Sequence, residues 1–189
     1  AYGGIEPGWI DNDRPHGDNN NDSKLSGLRL ALRWRPDADW NVDLGGTLQR
    51  LRVEDSQYVP DMGNVTAKRL RQGILPEPHD NDFINIRLGI TGRIGDVDLF
   101  STTSWTAHEV DSTLDASPAA SSFGMAGPIL FRDDRLYHVF NQELRLTSRG
   151  DGLRWMLGGS FLRAMTDMDA KLTGPNVAVL PVGALTQEA

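Results

Sequence analysis

Leu28-Arg29-Leu30-Ala31-Leu32-Arg33-Trp34-Arg35-Pro36-Asp37-Ala38-Asp39-Trp40-Asn41-Val42-Asp43-Leu44-Gly45-Gly46-Thr47-Leu48-Gln49 is the stretch whose reading decides the fold. Leu28, Leu30, Leu32 and Trp34 alternate with Arg29, Ala31, Arg33 and Arg35. A period of two places the two sets on opposite faces of an extended strand. After the polar turn Pro36-Asp37-Ala38-Asp39, a second alternating run sets Trp40, Val42, Leu44, Gly46 and Leu48 against Asn41, Asp43, Gly45, Thr47 and Gln49. Strand, tight turn and return strand make a hairpin.

The same unit recurs downstream. Ile84, Ile86, Leu88 and Ile90 alternate with Asn85, Arg87, Gly89 and Thr91, turn at Gly92–Asp96, and return through Val97, Leu99, Ser101, Thr103 and Trp105. The return strand is less regular, because Phe100 falls on the polar side. Phe140, Gln142, Leu144 and Leu146 alternate with Asn141, Glu143, Arg145 and Thr147, turn at 148–152, and return through Leu153, Trp155, Leu157, Gly159 and Phe161. Hairpins are thus expected near 24–53, 83–107 and 139–165. Loops are expected at 11–23, 54–82 and 108–138, where acidic residues and most of the prolines gather; 164–189, also acidic and proline-bearing, reads as loop too.

Short turns inside the hairpins and long links between them are unusual for a compact soluble domain, where most connections take ~4–6 residues. Transmembrane β-barrels have this asymmetry, with strands of ~9–11 residues, an apolar outer face, a polar inner face and aromatic girdles. Trp34, Trp40 and Trp155 stand by short turns, while Trp105 and Phe161 are expected near the opposite strand ends. The fold class is therefore all-β: an antiparallel meander of hairpins forming part of a transmembrane barrel, with short periplasmic turns and long extracellular loops. A soluble β-sandwich is the alternative, since its strands also alternate.

Composition narrows the function classes. The chain has 189 residues with 39% hydrophobic, 20 Gly and no Cys, and it has no apolar run of the ~20 residues that a membrane helix needs. Disulfide frameworks, thiolate metal sites and cysteine nucleophiles are excluded. A net charge of −7 argues against nucleic acid as a partner. His16, His79, His108 and His138 are scattered without a ligand spacing, and no cofactor or resident metal is expected. Asp11-Asn12-Asp13 and Asp18-Asn19-Asn20-Asn21-Asp22 are oxygen-rich but do not follow an EF-hand. No nucleophile elbow, phosphate loop or spaced carboxylate pair occurs, so the chain does not read as an enzyme.

Three stretches resemble the barrel of TonB-dependent outer-membrane receptors. They are Gly8-Trp9-Ile10-Asp11-Asn12 with its Asn/Asp-rich loop, Leu28–Pro36, and Phe140-Asn141-Gln142-Glu143-Leu144-Arg145-Leu146-Thr147-Ser148 followed by Leu153-Arg154-Trp155-Met156-Leu157-Gly158-Gly159-Ser160-Phe161. The resemblance covers most of 5–165. It implies a 22-stranded barrel plugged by an N-terminal domain that imports a small-molecule substrate, most often a ferric siderophore, with energy passed through TonB. Residues 1–189 are then expected to be part of one barrel domain, with six strands and the end of a seventh. The plug, the TonB-contacting region and the remaining strands are expected outside it, and the chain is expected to be a piece of a longer protein.

On this reading Leu30, Leu32, Trp34, Trp40, Leu44, Ile86, Leu88, Leu144, Leu146 and Trp155 face outer-membrane lipid. Arg33, Arg35, Gln49, Arg87, Glu143 and Arg145 face the lumen. Lys68, Arg69 and Arg71 form a basic loop cluster suited to attracting an anionic substrate. The small-residue stretch 116–124 is expected to be mobile or to fold back toward the lumen. A passive porin is the alternative channel.

Overall fold

The computed structural model describes residues 1–12, 21–58, 70–71, 73–174 and 177–188. In chain order the elements are β1 (Tyr2–Glu6), β2 (Asp11–Asn12), β3 (Ser23–Trp34), β4 (Asn41–Val53), β5 (Leu70–Arg71), β6 (His79–Ile94), β7 (Val97–Asp115), a 3-10 turn (Ser117–Phe123), β8 (Leu130–Ser148), β9 (Met156–Gly174) and β10 (Val177–Glu188). Eight strands form one antiparallel meander in the order β1-β3-β4-β6-β7-β8-β9-β10. The sheet is not closed, and β1 and β10 are its edges. β2 and β5 make a small parallel pair apart from it.

Register follows the alternation. Leu32 stands opposite Leu44, which stands opposite Leu88; across the next ladder Leu88 meets Thr103, and Trp105 meets Phe140. Because side chains alternate along a strand, a slip by one residue would carry the whole apolar set to the other face. Gly95 makes the two-residue turn between β6 and β7 possible, with φ +59, where a side chain would be strained.

Several strands run well beyond the expected limits. β6 has 16 residues, and β7, β8 and β9 have 19 each. Of the link expected at 108–138, residues 108–115 and 130–138 are strand, which leaves 116–129 as the connection. β6 already begins at His79, inside the expected loop 54–82. The acidic stretch 164–189 also pairs, as the upper half of β9 and as β10. The strand period persists in these segments, but its chemistry changes sense. Glu109 and Asp111, or Asp167, Asp169 and Lys171, continue positions that lower down hold Val97, Leu99 and Trp105 in β7 and Leu157 and Phe161 in β9. In β10 the register shifts on either side of Pro181, which an edge strand tolerates. The stretch 116–124 holds the 3-10 turn, with Pro118 in its first turn and Gly124 closing it at φ +69.

A conventional core is missing from the sheet. Among the described residues the buried apolar side chains are Ile10, Val53, Ala120, Ile129 and Ala170, nearly all in or beside the long connections. The accessible surface is 12813 Å², against about 8,900 Å² expected for a compact monomer of this mass. No second sheet covers the apolar face among the described residues, as a β-sandwich would require.

Two glycines admit aromatic rings across strands. A Cβ on Gly92 would lie 2.3 Å from the Trp40 ring, and one on Gly27 would lie 2.2 Å from the Tyr2 ring, whereas a Cβ on Gly46 meets nothing within 4 Å. Gly92→Val in the intact protein should displace Trp40 and cost about 1–3 kcal/mol, and Gly46→Val should stay within about 0.5 kcal/mol of wild type. Denaturant titration of the folded protein in detergent measures both. Equal costs would contradict the Trp40 placement.

Candidate functional site

The site is built from the two faces of the sheet and from the connections at one end. Cross-strand pairing places Leu30, Leu32, Trp34, Leu44, Ile86, Leu88, Leu144 and Leu146 on one face, with Leu157 and Phe161 of β9. Trp40 lies in the turn before β4 with its ring against Gly92 of the same face. Trp155 immediately precedes β9, where its amide donates to Ser148 Oγ at 2.7 Å. Large side chains of this face are open to the surroundings: Leu30 and Leu32 are each 64% exposed and Trp34 61%.

Trp105, Phe140 and Phe161 form an aromatic row across β7, β8 and β9. The Phe140 and Phe161 rings stand 6.2 Å apart, and Trp105 stacks on His138 at 5.9 Å. These rings lie within long strands rather than near their ends, because the strands continue past them. From Val97 to Trp105 the apolar part of β7 runs about 27 Å along the strand, or ~21 Å in height at a tilt of ~40°.

Beyond the aromatic row the same face becomes charged, a feature the sequence pattern did not announce. Asp80, Asp111, Asp134 and Asp169 stand opposite one another across four strands. Arg52 pairs with Asp82 at 2.7 Å and Asp80 at 3.4 Å and Arg132 with Asp134 at 3.0 Å, while Lys171 pairs with Asp169; Arg163, opposite Phe140 at the level of the row itself, reaches Glu188 at 2.6 Å. Like charges directly opposite one another are unfavourable, and at Asp111 burial and the facing Asp134 outweigh Arg132 and hold its carboxyl above the ordinary carboxylate range. Among the described residues no three acidic or His side chains converge to hold a metal ion.

The opposite face is mainly polar in its turn-proximal half, whereas farther along it also holds Leu51, Val53, Phe83, Val110 and Phe131. Arg33 meets Asp43 through two contacts, at 2.6 and 3.1 Å. Arg35, just past β3, donates to Asn41 Oδ1 at 2.9 Å, and Gln49 accepts the Tyr2 hydroxyl at 3.0 Å. Arg87 stands opposite Gly45 and Ser104, and Glu143 opposite Thr102 and Ser160. Arg145 lies 4.9 Å from the centroid of Phe100, which explains an aromatic on this side. His79 and His108 are strand residues here rather than loop residues. His108 Nε2 is 2.8 Å from Asn81 Oδ1, and its ring lies 5.8 Å from both Phe83 and Tyr137.

The long connections are pinned by acidic and amide side chains that accept backbone N–H groups. Asn21 is buried, and its Oδ1 takes the amides of Trp9 and Ile10, each at 2.8 Å. Asp55 Oδ1 takes the Glu77 amide at 2.8 Å. Asp115 joins two connections: its Oδ2 accepts from Ile74 at 2.7 Å and Leu75 at 3.2 Å, and its Oδ1 accepts from Ser117 at 3.0 Å. Glu77 Oε1 in turn accepts the Asp115 amide at 2.8 Å. Apart from that between Ser117 and Asp115, these contacts join residues far apart in sequence. Lys68 and Arg69 lie outside the described residues, as do His16, Asp13 and 18–20; Arg71 is in β5, paired in register with Asn12.

No protein-family model and no curated protein sequence matches the chain. Among solved structures, it is similar to the crystal structure of the ferric yersiniabactin uptake receptor FyuA from Yersinia pestis, with a TM-score of 0.69 at 14% identity. The match covers 97% of this chain and 28% of that one, so the chain spans about a quarter of the receptor's length. At this identity the likeness is one of fold.

Asp115 yields a pH prediction. Burial would push its carboxyl up, but donation from Ser117, Ile74 and Leu75 outweighs burial and holds it below the ordinary carboxylate range. A carboxyl held low in the folded chain stabilises it fully above pH ~3.9, and that contribution is lost as pH falls through the lower folded value. Asp115→Ala at pH 6 should lower amide-exchange protection at Ile74 and Leu75 about tenfold to a hundredfold. Unchanged protection would show that the clamp does not hold the connection.

Proposed function

We propose that the chain is a section of an outer-membrane active-transport receptor that takes up a scarce nutrient, a ferric siderophore or similar small molecule, with energy supplied through TonB. The carrying observation is an apolar face that is exposed up to an aromatic row and charged beyond it, with a polar face behind. A protein in water seldom leaves such a continuous patch uncovered. In a bilayer the same patch is solvated by lipid, and between the two edge strands the backbone needs no water, because the ladders pair its N–H and C=O groups.

On this reading Leu30, Leu32, Trp34, Trp40, Leu44, Ile86, Leu88, Leu144, Leu146 and Trp155 meet outer-membrane lipid, and Arg33, Arg35, Gln49, Arg87, Glu143 and Arg145 line the lumen. The short turns face the periplasm. The connections pinned by Asn21, Asp55 and Asp115 face outward, where Lys68, Arg69 and Arg71 attract an anionic substrate. An apolar band of ~21 Å is close to the ~25 Å typical of outer-membrane barrels. The whole receptor supplies the remaining strands, the plug and the segment that reaches TonB; the fold shared with an uptake receptor supports that assignment.

The faces can be tested in the intact receptor. Leu44→Arg should cost roughly 2–4 kcal/mol near the bilayer midplane, and Thr47→Arg, on the other face, close to nothing. Unfolding titrations in lipid vesicles measure the difference. Equal costs would mean that lipid does not lie against the Leu44 face.

A further inference from the structure

Burial in this chain is concentrated away from the sheet. Ala170 aside, the buried side chains among the described residues lie in the connections or at their mouths: Ile10 and Asn21 between β1 and β3, Val53 and Asp55 at the end of β4 and just past it, and Ala120 and Ile129 between β7 and β8. Surface loops ordinarily open locally at little cost. Buried apolar groups and buried polar acceptors together are what gives a segment cooperative stability of its own.

An unbroken chain of contacts runs through all three connections. Asn21, which accepts the Trp9 and Ile10 amides, also donates through Nδ2 to Gln57 Oε1 at 3.1 Å, and Gln57 Nε2 donates back to the Asn21 carbonyl at 3.0 Å. Two residues before Gln57, Asp55 accepts the Glu77 amide, and Glu77 accepts the Asp115 amide, each at 2.8 Å. The Asp115 carboxylate takes Ile74 and Leu75 on one oxygen and Ser117 on the other, and Ser117 Oγ accepts the Ile129 amide at 3.0 Å. The parallel pairing of β2 with β5 ties the first connection to the second once more. A connection that lifts alone therefore strips acceptors from the backbone amides of its neighbours, which costs free energy in segments that have not moved.

We propose that the described parts of the three connections form one cooperative unit, which opens all at once and separately from the sheet, with Gln57 and Asp115 as its joints. The sheet can stay closed when the unit opens, because its own ladders do not run through these contacts. A ligand or partner that holds any one connection then tightens the other two, since coupling between sites is reciprocal. None of these contacts depends on which face of the sheet meets lipid.

The test is native-state amide exchange of the whole protein in detergent, with denaturant raised in steps below the unfolding transition. The amides of Trp9, Ile10, Ile74, Leu75 and Ile129 should converge on a single dependence on denaturant, with an opening free energy below that of the β7–β8 ladder. Separate dependences for these amides, or convergence with the ladder itself, would overturn the proposal. Gln57→Ala gives a second reading, because Gln57 bonds none of the five amides directly. It should speed exchange about threefold to tenfold at Ile74, Leu75 and Ile129, by the same factor as at Trp9 and Ile10. A change confined to Trp9 and Ile10, or no change at all, would overturn it.

Discussion

Everything in this structure depends on the continuous ladder of backbone hydrogen bonds from β1 to β10. It fixes register across seven strand pairs, and register fixes which side chains share a face. The ladder also leaves few backbone groups within the sheet in need of water. That allows apolar side chains to point away from the chain instead of into a core. The burial pattern follows from this constraint: exposed Leu, Ile and Trp on one face, and buried residues such as Ile10 and Ile129 among the connections.

Each long strand has two chemical zones. In β7 the positions on the apolar face run from Val97 and Leu99 through Trp105 and then to Glu109 and Asp111. β4, β6, β8 and β9 change in the same direction, so the boundary is a property of the sheet rather than of one strand. Above it, cross-strand ion pairs such as Arg52–Asp82 replace packing as the side-chain contacts. At the far end, Asn21, Asp55 and Asp115 close the connections onto the strands. A sheet with an apolar band, a charged collar and a pinned set of connections has a direction.

The lower zone was legible in the sequence because alternation there coincides with hydrophobicity. Leu28 to Trp34 and Ile84 to Ile90 read as strands at sight. The upper zone keeps the alternation but sets acidic residues against mixed ones, as at Glu109–Asp111 and Asp167–Asp169, and so reads as loop. Pro181 hid β10 for a related reason, since its cost depends on whether the strand is an edge, which composition does not reveal. The clamp at Asp115 joins Ile74, Leu75 and Ser117, and only the folded chain brings them together. Phe100 broke the pattern because its partner is the Arg145 cation rather than an apolar neighbour.

The likeness to an uptake receptor extends over nearly the whole chain and is a likeness of strand path. The proposed function rests on one physical statement, that one face of these strands meets lipid up to the Trp105 row and water beyond it. The most direct measurement is site-directed spin labelling along β7 in the intact protein reconstituted in lipid, comparing collisions with oxygen and with a water-soluble nickel chelate. The account predicts oxygen-rich surroundings at odd positions from 97 to 105, a switch to the nickel chelate from 109 to 115, and nickel access at even positions throughout. The same profile on both faces, or no switch beyond Trp105, would contradict it.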